Sequence, residues 1–208
     1  FKIKSIINKY NVNVFSTNFA LYGDMSNRVM NTIASFNINM EIYSIDEVFL
    51  DLSEFKKEDF FTLAHQIKNK IKKWTGIPVS IGIAKTKTLS KAANYIAKKN
   101  NDENIFIIND SNINNVLKKI PISKVWGIGF KNQIFLHSYN LKTALDLKYA
   151  DLFWIRHYLT ISGEKIVKEL RGKSCIPMEM IYKPKQSICT SRTFGKMVTD
   201  YNELVSAI

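Results

Sequence analysis

The sequence predicts an α+β chain: a mixed helix-and-strand block to about residue 109, a helical block over about 111–175, a linker, and the start of a third unit. Three observations carry this reading. Apolar residues recur at helical and at strand spacing in turn as far as Ile108. After Asn109 no alternating strand pattern returns before Ile188, and Pro177, Pro184 and Lys185 mark the break between units. No internal repeat is visible.

Ile3, Ile6, Ile7 and Tyr10 share one helical face, and Val12, Val14 and Phe15 suggest a short strand. Met25, Val29, Ile33 and Phe36 repeat at helical spacing, with Asp24 as the expected N-cap. Residues 41–52 are rich in β-branched and aromatic side chains and form the best strand candidate. Phe60, Ala64, Ile67, Ile71 and Trp74 line an amphipathic helix whose lysines face water, and Gly76 and Pro78 end it. Residues 79–84 alternate branched apolar with small residues, which predicts a strand packed on one face and bare on the other. A helix over 88–99 and a strand over 105–108 follow. Short helical segments fill 111–175; a strand is expected to begin within 188–197, and a helix at 201–208.

With 46% hydrophobic residues among 208, the chain can bury a core and is not a disordered polyelectrolyte. The apolar stretches at 42–52 and 105–108 are too short for a membrane span of roughly 20 residues. Cys175 and Cys189 make neither a disulfide framework nor a CxxC zinc signature. Lys2, Lys4, Asn8 and Lys9 interrupt any apolar leader, so the expected compartment is the cytoplasm. Phe1 stands where a Met would open a chain, and the amphipathic pattern is still running at Ile208, so an internal piece of a longer protein is expected.

Lys and Arg number 30 against 18 Asp and Glu, a formal net charge of +12. Between Phe60 and Asn101 there are nine lysines and no acid. Distributed positive charge on a folded domain suits a polyanionic partner. Solubility, with the Lys/Asn/Ile bias of an AT-rich genome, accounts for it equally well.

The sharpest local feature is Asp46-Glu47 inside the apolar run Ile42-Tyr43-Ser44-Ile45-Asp46-Glu47-Val48-Phe49-Leu50. Buried carboxylates are paired, neutralised or bound to a cation, and oxygen-only ligation suits Mg²⁺. By spacing alone, an exposed hairpin turn with its acids in water is the stronger reading. One pair is also short of a two-metal site. The helix at 88–99 places Lys91 and Lys98 seven apart on one face, fit to hold a triphosphate or simply to be solvated, and no Walker spacing is present. Val125-Trp126-Gly127-Ile128-Gly129 lies between helical segments. It reads as a helix-hairpin-helix that grips DNA phosphates, or as an ordinary tight turn. His65, His137 and His157 show no ligand spacing.

In order, Tyr43-Ser44-Ile45-Asp46-Glu47, Ser80-Ile81-Gly82-Ile83-Ala84-Lys85-Thr86-Lys87-Thr88-Leu89-Ser90-Lys91 and Val125-Trp126-Gly127-Ile128-Gly129 resemble the Y-family (translesion) DNA polymerases over essentially the whole chain. Ala20-Leu21-Tyr22-Gly23-Asp24-Met25-Ser26-Asn27-Arg28-Val29 and Ser191-Arg192-Thr193-Phe194-Gly195 look most like the family's UmuC branch. The resemblance implies an error-prone polymerase of the SOS response that extends a primer past damaged template with dNTPs. It implies a palm with an antiparallel sheet and helices on one face, an all-helical thumb, and the start of an α/β little finger. The implied boundaries are 1–11 for the end of the fingers, 12–109 for the palm, 110–178 for the thumb, 179–187 for the linker and 188–208 for the little finger. By the same resemblance, Asp46 and Glu47 would ligate two Mg²⁺ ions, Lys98 would contact the incoming triphosphate, and Gly127, Ile128 and Gly129 would hold primer-template DNA. Arg192 would touch the DNA backbone. A third carboxylate, on an Asp-x-Asn-x-Phe strand, and the aromatic that rejects ribonucleotides are expected upstream of Phe1, so this length of chain is expected to be inactive by itself. A UmuD′ dimer and a RecA filament are implied partners. The competing readings are a non-catalytic DNA-binding scaffold of the same fold and a cyclase-like palm, for which the glycine turn has no use.

Overall fold

In a computed structural model of the chain, residues 3–99, 103–180, 187–189, 191, 193–195 and 197–206 are described. The first helix, α1 (Lys4–Tyr10), and residues 11–18 lie exposed apart from half-buried Ile7. The strand expected at 12–15 does not form: Val14 and Phe15 are 70% and 86% exposed, and β propensity without a pairing neighbour does not make a strand. Helix α2 (Phe19–Ala34) starts earlier than its apolar periodicity suggests. Asn18, not Asp24, caps it by accepting the Leu21 N–H at 3.0 Å, while Asp24 sits inside the helix and pairs with Arg28 at 2.8 Å.

The strand predicted over 41–52 folds back on itself. Strands β1 (Met40–Ser44) and β2 (Glu47–Leu50) form an antiparallel hairpin in the register Met40↔Leu50 and Ile42↔Val48, with an irregularity between Ile42 and Ser44. Its inner side packs Met40, Val48 and Leu50 against Met30, Ile33 and Ile38 and against Ile67 and Ile71 of α3 (Phe60–Thr75).

Strand β3 (Ile81–Ile83) runs parallel to β4 (Ile105–Ile107), joined by helix α4 (Lys87–Ala97). These two strands form a second sheet, separate from the antiparallel hairpin and parallel because the α4 crossover returns the chain in the same direction. The bare face expected on β3 is where α4 lies. A Cβ on Gly82 would come within 2.1 Å of the Asn94 backbone nitrogen and 2.4 Å of the Ser90 carbonyl, so only glycine admits the helix this close.

The helical block comprises α5 (Ile113–Lys118), a 3₁₀ turn at Ile122–Lys124, α6 (Phe130–Ser138), α7 (Ala144–Tyr149) and α8 (Leu152–Leu170). Thr143 and Asp146 close a reciprocal capping box on α7. Helix α8 is broken at Thr160 (φ 64°, ψ −171°), and the Arg156–Glu164 ion pair spans the break at 2.7 Å. Leu117, Ile120, Ile122, Leu136, Leu147, Ile155, Val167 and Leu170 form a core that continues into Leu89, Ala92 and Ala93 of α4, so packing is continuous across residue 109. Helix α9 (Tyr201–Val205) carries no buried residue, and no strand occurs among the described residues of 188–197. Among the described residues no helix is long and apolar enough to cross a membrane.

Candidate active-site face

Asp46 and Glu47 stand at the apex of the β1–β2 hairpin, where the chain turns at Ile45–Asp46. Asp46 is exposed, and the Ser44 hydroxyl donates to its Oδ1 at 2.6 Å. Glu47 is half-buried and forms an ion pair with Lys91 of α4 at 2.5 Å. The acids thus sit at a turn, as one reading of the sequence expected, and the turn is held against α4 by the Glu47–Lys91 pair.

The Gly-Ile-Gly segment approaches the same hairpin. Trp126 donates its indole N–H to the Tyr43 hydroxyl at 3.1 Å, and the Trp126, Tyr43 and Phe49 rings contact one another with centroids 5.5–5.9 Å apart. Gly127 has φ +85°, and a Cβ there would fall 2.6 Å from Ile166 Cδ1. Ile128 is buried in the core, which pins the turn from beneath. Gly129 is exposed and precedes α6, whose first N–H groups have no partner within the helix. The expected helix-hairpin-helix is lopsided: its first helix is the single 3₁₀ turn at Ile122–Lys124.

Lys98 is exposed at the C-terminus of α4, about 10 Å along the helix axis beyond Lys91. Arg192 lies outside the described residues. The structure therefore brings Asp46, Glu47 and the glycine turn onto one face with Lys91, and leaves Lys98 farther along the same helix. Much of the lysine-rich stretch is already tied. Lys70 reaches Ser35, Lys85 pairs with Asp110, Lys87 with Glu41, and Lys91 with Glu47. A solvated basic face over the whole stretch is not what forms.

Sequence reasoning missed two buried acids behind this face. Glu41 on β1 accepts from the Lys87 ammonium and the Glu179 N–H, while Lys87 also donates to the Pro177 carbonyl at 2.8 Å. Glu169 on α8 is fully buried and accepts the N–H groups of Thr88, Cys175 and Ile176 at 2.7–3.1 Å. Both tie residues 175–179 to the start of α4. Three-dimensional proximity reveals them, since Lys87, Glu179 and Thr88 lie tens of residues from the acids they meet.

As a cation site, Asp46 and Glu47 supply adjacent hard oxygen donors at an accessible apex. Among the described residues no third His, Cys, Asp or Glu joins them in a metal-sized group. Two carboxylates with remaining positions for water and phosphate oxygens fit Mg²⁺.

The acidic hairpin, the βαβ unit and the helical block together match the fold of solved DNA polymerase structures. The chain superposes on a DinB family error-prone DNA polymerase from Sulfolobus solfataricus with a TM-score of 0.71 at 24% identity, covering 85% of this chain and 54% of that one. With the insertion ternary complex of Dbh DNA polymerase the TM-score is 0.64 at 25% identity, covering 78% and 48%. Residues 1–95 match the IMS: impB/mucB/samB family. The chain is 40% identical to Protein UmuC of Salmonella typhimurium, over all of this chain and 50% of that protein. It is 30% identical to DNA polymerase IV of Francisella tularensis subsp. novicida, over 78% of this chain and 46% of that protein. The chain is thus similar over its whole length to UmuC and related proteins, and it spans about half the length of the curated relatives it matches.

Proposed function

We propose that this chain supplies the palm and thumb of an error-prone, template-directed DNA polymerase that carries a primer past damaged template bases. The observation that carries the reading is the Asp46-Glu47 pair at the hairpin apex, one hydrogen bond away from the glycine turn through Tyr43 and Trp126. Residues 12–109 serve as palm and 110–178 as thumb, with 1–11 ending the fingers, 179–187 linking and 188–208 opening the little finger. Asp46 and Glu47 present carboxylate oxygens to divalent cations. Two Mg²⁺ ions, when bound, stabilise the attacking 3′-oxygen and the departing pyrophosphate of a dNTP. Lys98 offers a mobile point charge to the triphosphate. The first turn of α6, beside Gly129, offers N–H groups to a DNA phosphate, and Arg192 adds a backbone contact. The covalent chemistry asks little else of the protein than fixed charge and position. The similarity to UmuC supports, within the same proposal, a cytoplasmic SOS role alongside a UmuD′ dimer and a RecA filament.

The test is Asp46→Ala in the full-length protein. Mg²⁺-dependent primer extension is lost while primer-template binding is kept. Ordinary extension by this variant overturns the assignment, and a full-length protein that binds DNA without ever extending it is the scaffold of the competing reading.

A further inference from the structure

The two acids at the hairpin apex have unlike partners. Among the described residues Asp46 meets the neutral Ser44 hydroxyl, at 2.6 Å, and no cation, and it is exposed. Glu47 carries an ion pair: the Lys91 ammonium lies 2.5 Å from its Oε1, with the two side chains 28% and 23% exposed. Lys91 reaches across from α4 and also sits 5.6 Å from the centroid of the Tyr43 ring. The lysine one turn earlier cannot stand in for it, because Lys87 is committed to Glu41 and the Pro177 carbonyl. Among the described residues, therefore, Glu47 has a dedicated resident cation and Asp46 has none.

We propose that Lys91 is a positioning residue and resident counter-ion for Glu47, so that a divalent cation enters this site by exchange for an ammonium rather than by simple addition. The inference rests on the assignment of Asp46 and Glu47 as ligands made above. Three-quarters buried, the Glu47 carboxylate would be costly to leave bare, and the helix-borne ammonium keeps it aimed across the hairpin until a better cation takes it. Asp46 provides the first foothold, since nothing charged has to leave it. The ammonium stays beside the site and opposes the entering ion. A unit charge against a divalent one at 5–6 Å, in a water-like dielectric, weakens binding by about a factor of ten. A lysine that only braced the hairpin against α4 would leave cation affinity where it was or, on removal, lower it by loosening the apex.

The experiment is a Mn²⁺ titration of the 208-residue chain, with free Mn²⁺ followed by electron paramagnetic resonance and no turnover involved. Lys91→Met binds Mn²⁺ about tenfold more tightly than the unmodified chain, and Lys91→Arg does not. Lys91→Gln loses the charge but keeps a neutral hydrogen-bond donor on a side chain one atom shorter. It tightens binding in the same direction and separates charge from bracing even where Lys91→Met unfolds early. Asp46→Asn weakens binding in every background. Unchanged or weaker Mn²⁺ binding in both neutral variants, with Asp46→Asn still weakening it, overturns the role of Lys91 and leaves the metal site standing. Mn²⁺ binding indifferent to Asp46→Asn overturns the ligand assignment and this inference together.

Discussion

Replacing Glu169 by Gln removes one acceptor from a place where three donors converge. Its Oε1 accepts the N–H groups of Cys175 and Ile176 at 2.7 and 3.1 Å, and its Oε2 accepts that of Thr88 at 3.0 Å. An amide has a single acceptor oxygen. Turned towards Cys175 and Ile176, it sets its NH₂ against the Thr88 N–H; turned the other way, it orphans two donors instead of one. The gentler outcome still loses one strong hydrogen bond and strands a buried donor at the start of α4, a cost of about 2–4 kcal/mol. That is a large share of the roughly 5–15 kcal/mol that holds a domain folded. Urea unfolding of the chain, followed by circular dichroism, reads it directly. With a slope of about 2 kcal/mol per molar, the midpoint falls by about 1–2 M. A shift below about 0.25 M would refute the reasoning, because it would mean that water or a small backbone movement satisfies the Thr88 N–H at no cost.

Gly127→Ala places a side chain at φ +85° and 2.6 Å from Ile166 Cδ1, and costs about 2–4 kcal/mol by urea unfolding. Ile166→Val in the same chain removes the clashing methyl and recovers part of that loss, whereas strictly additive costs would show that the two sites do not touch. In the full-length protein, Lys98→Ala raises the KM for dNTP more than it weakens DNA binding, and an unchanged KM in steady-state extension removes Lys98 from the triphosphate. Three acids are held below the usual carboxylate range: Asp110 by its hydrogen bond and charge pairing with Lys85, and Glu164 by Lys168 and Arg156. For Asp146 partial burial pulls upward, but the N–H groups of Lys142 and Thr143 and the Thr143 hydroxyl outweigh it. Their folded values lie below their unfolded ones, so their contribution is complete above the ordinary values of 3.8 and 4.5 and is lost as pH falls through and below them. Urea midpoints measured from about pH 6 down to pH 2 fall at the acid end, and Asp146→Asn flattens that fall.

Features set by neighbours in sequence were legible. The periodicity of Phe60 through Trp74 gave α3, and the alternation of small residues at 79–84 gave a bare strand face where α4 presses on Gly82. The Asp46-Glu47 pair was visible as an anomaly in an apolar run; the turn it suggested forms, with Asp46 in water and Glu47 paired with Lys91. Features set by distant partners were not legible. Lys87 looked like one more solvated lysine, yet it is buried against Glu41. Glu169 sat unremarked in a helical stretch although it caps another helix some eighty residues earlier in the chain. Val12 to Phe15 shows the opposite error, since β-forming side chains signal a strand only where another strand is there to pair with them. Asn18 and Asp24 are both good caps, and apolar periodicity pointed to Asp24 because the first turn of α2 after Asn18 buries nothing.

The contacts of Glu41 also bear on the polypeptide that follows the helical block. Residues 177–179 are tethered to this side chain and to Lys87, and Glu41 lies on the strand that leads to Asp46 five residues later. At strand spacing that is a lever of about 16 Å. The polypeptide past Glu179 thus sets out from a fixed point on the hairpin that presents the acids. The segment that follows inherits its zero position from the hairpin, and an insertion within 177–179 would reset that origin without altering the hairpin itself.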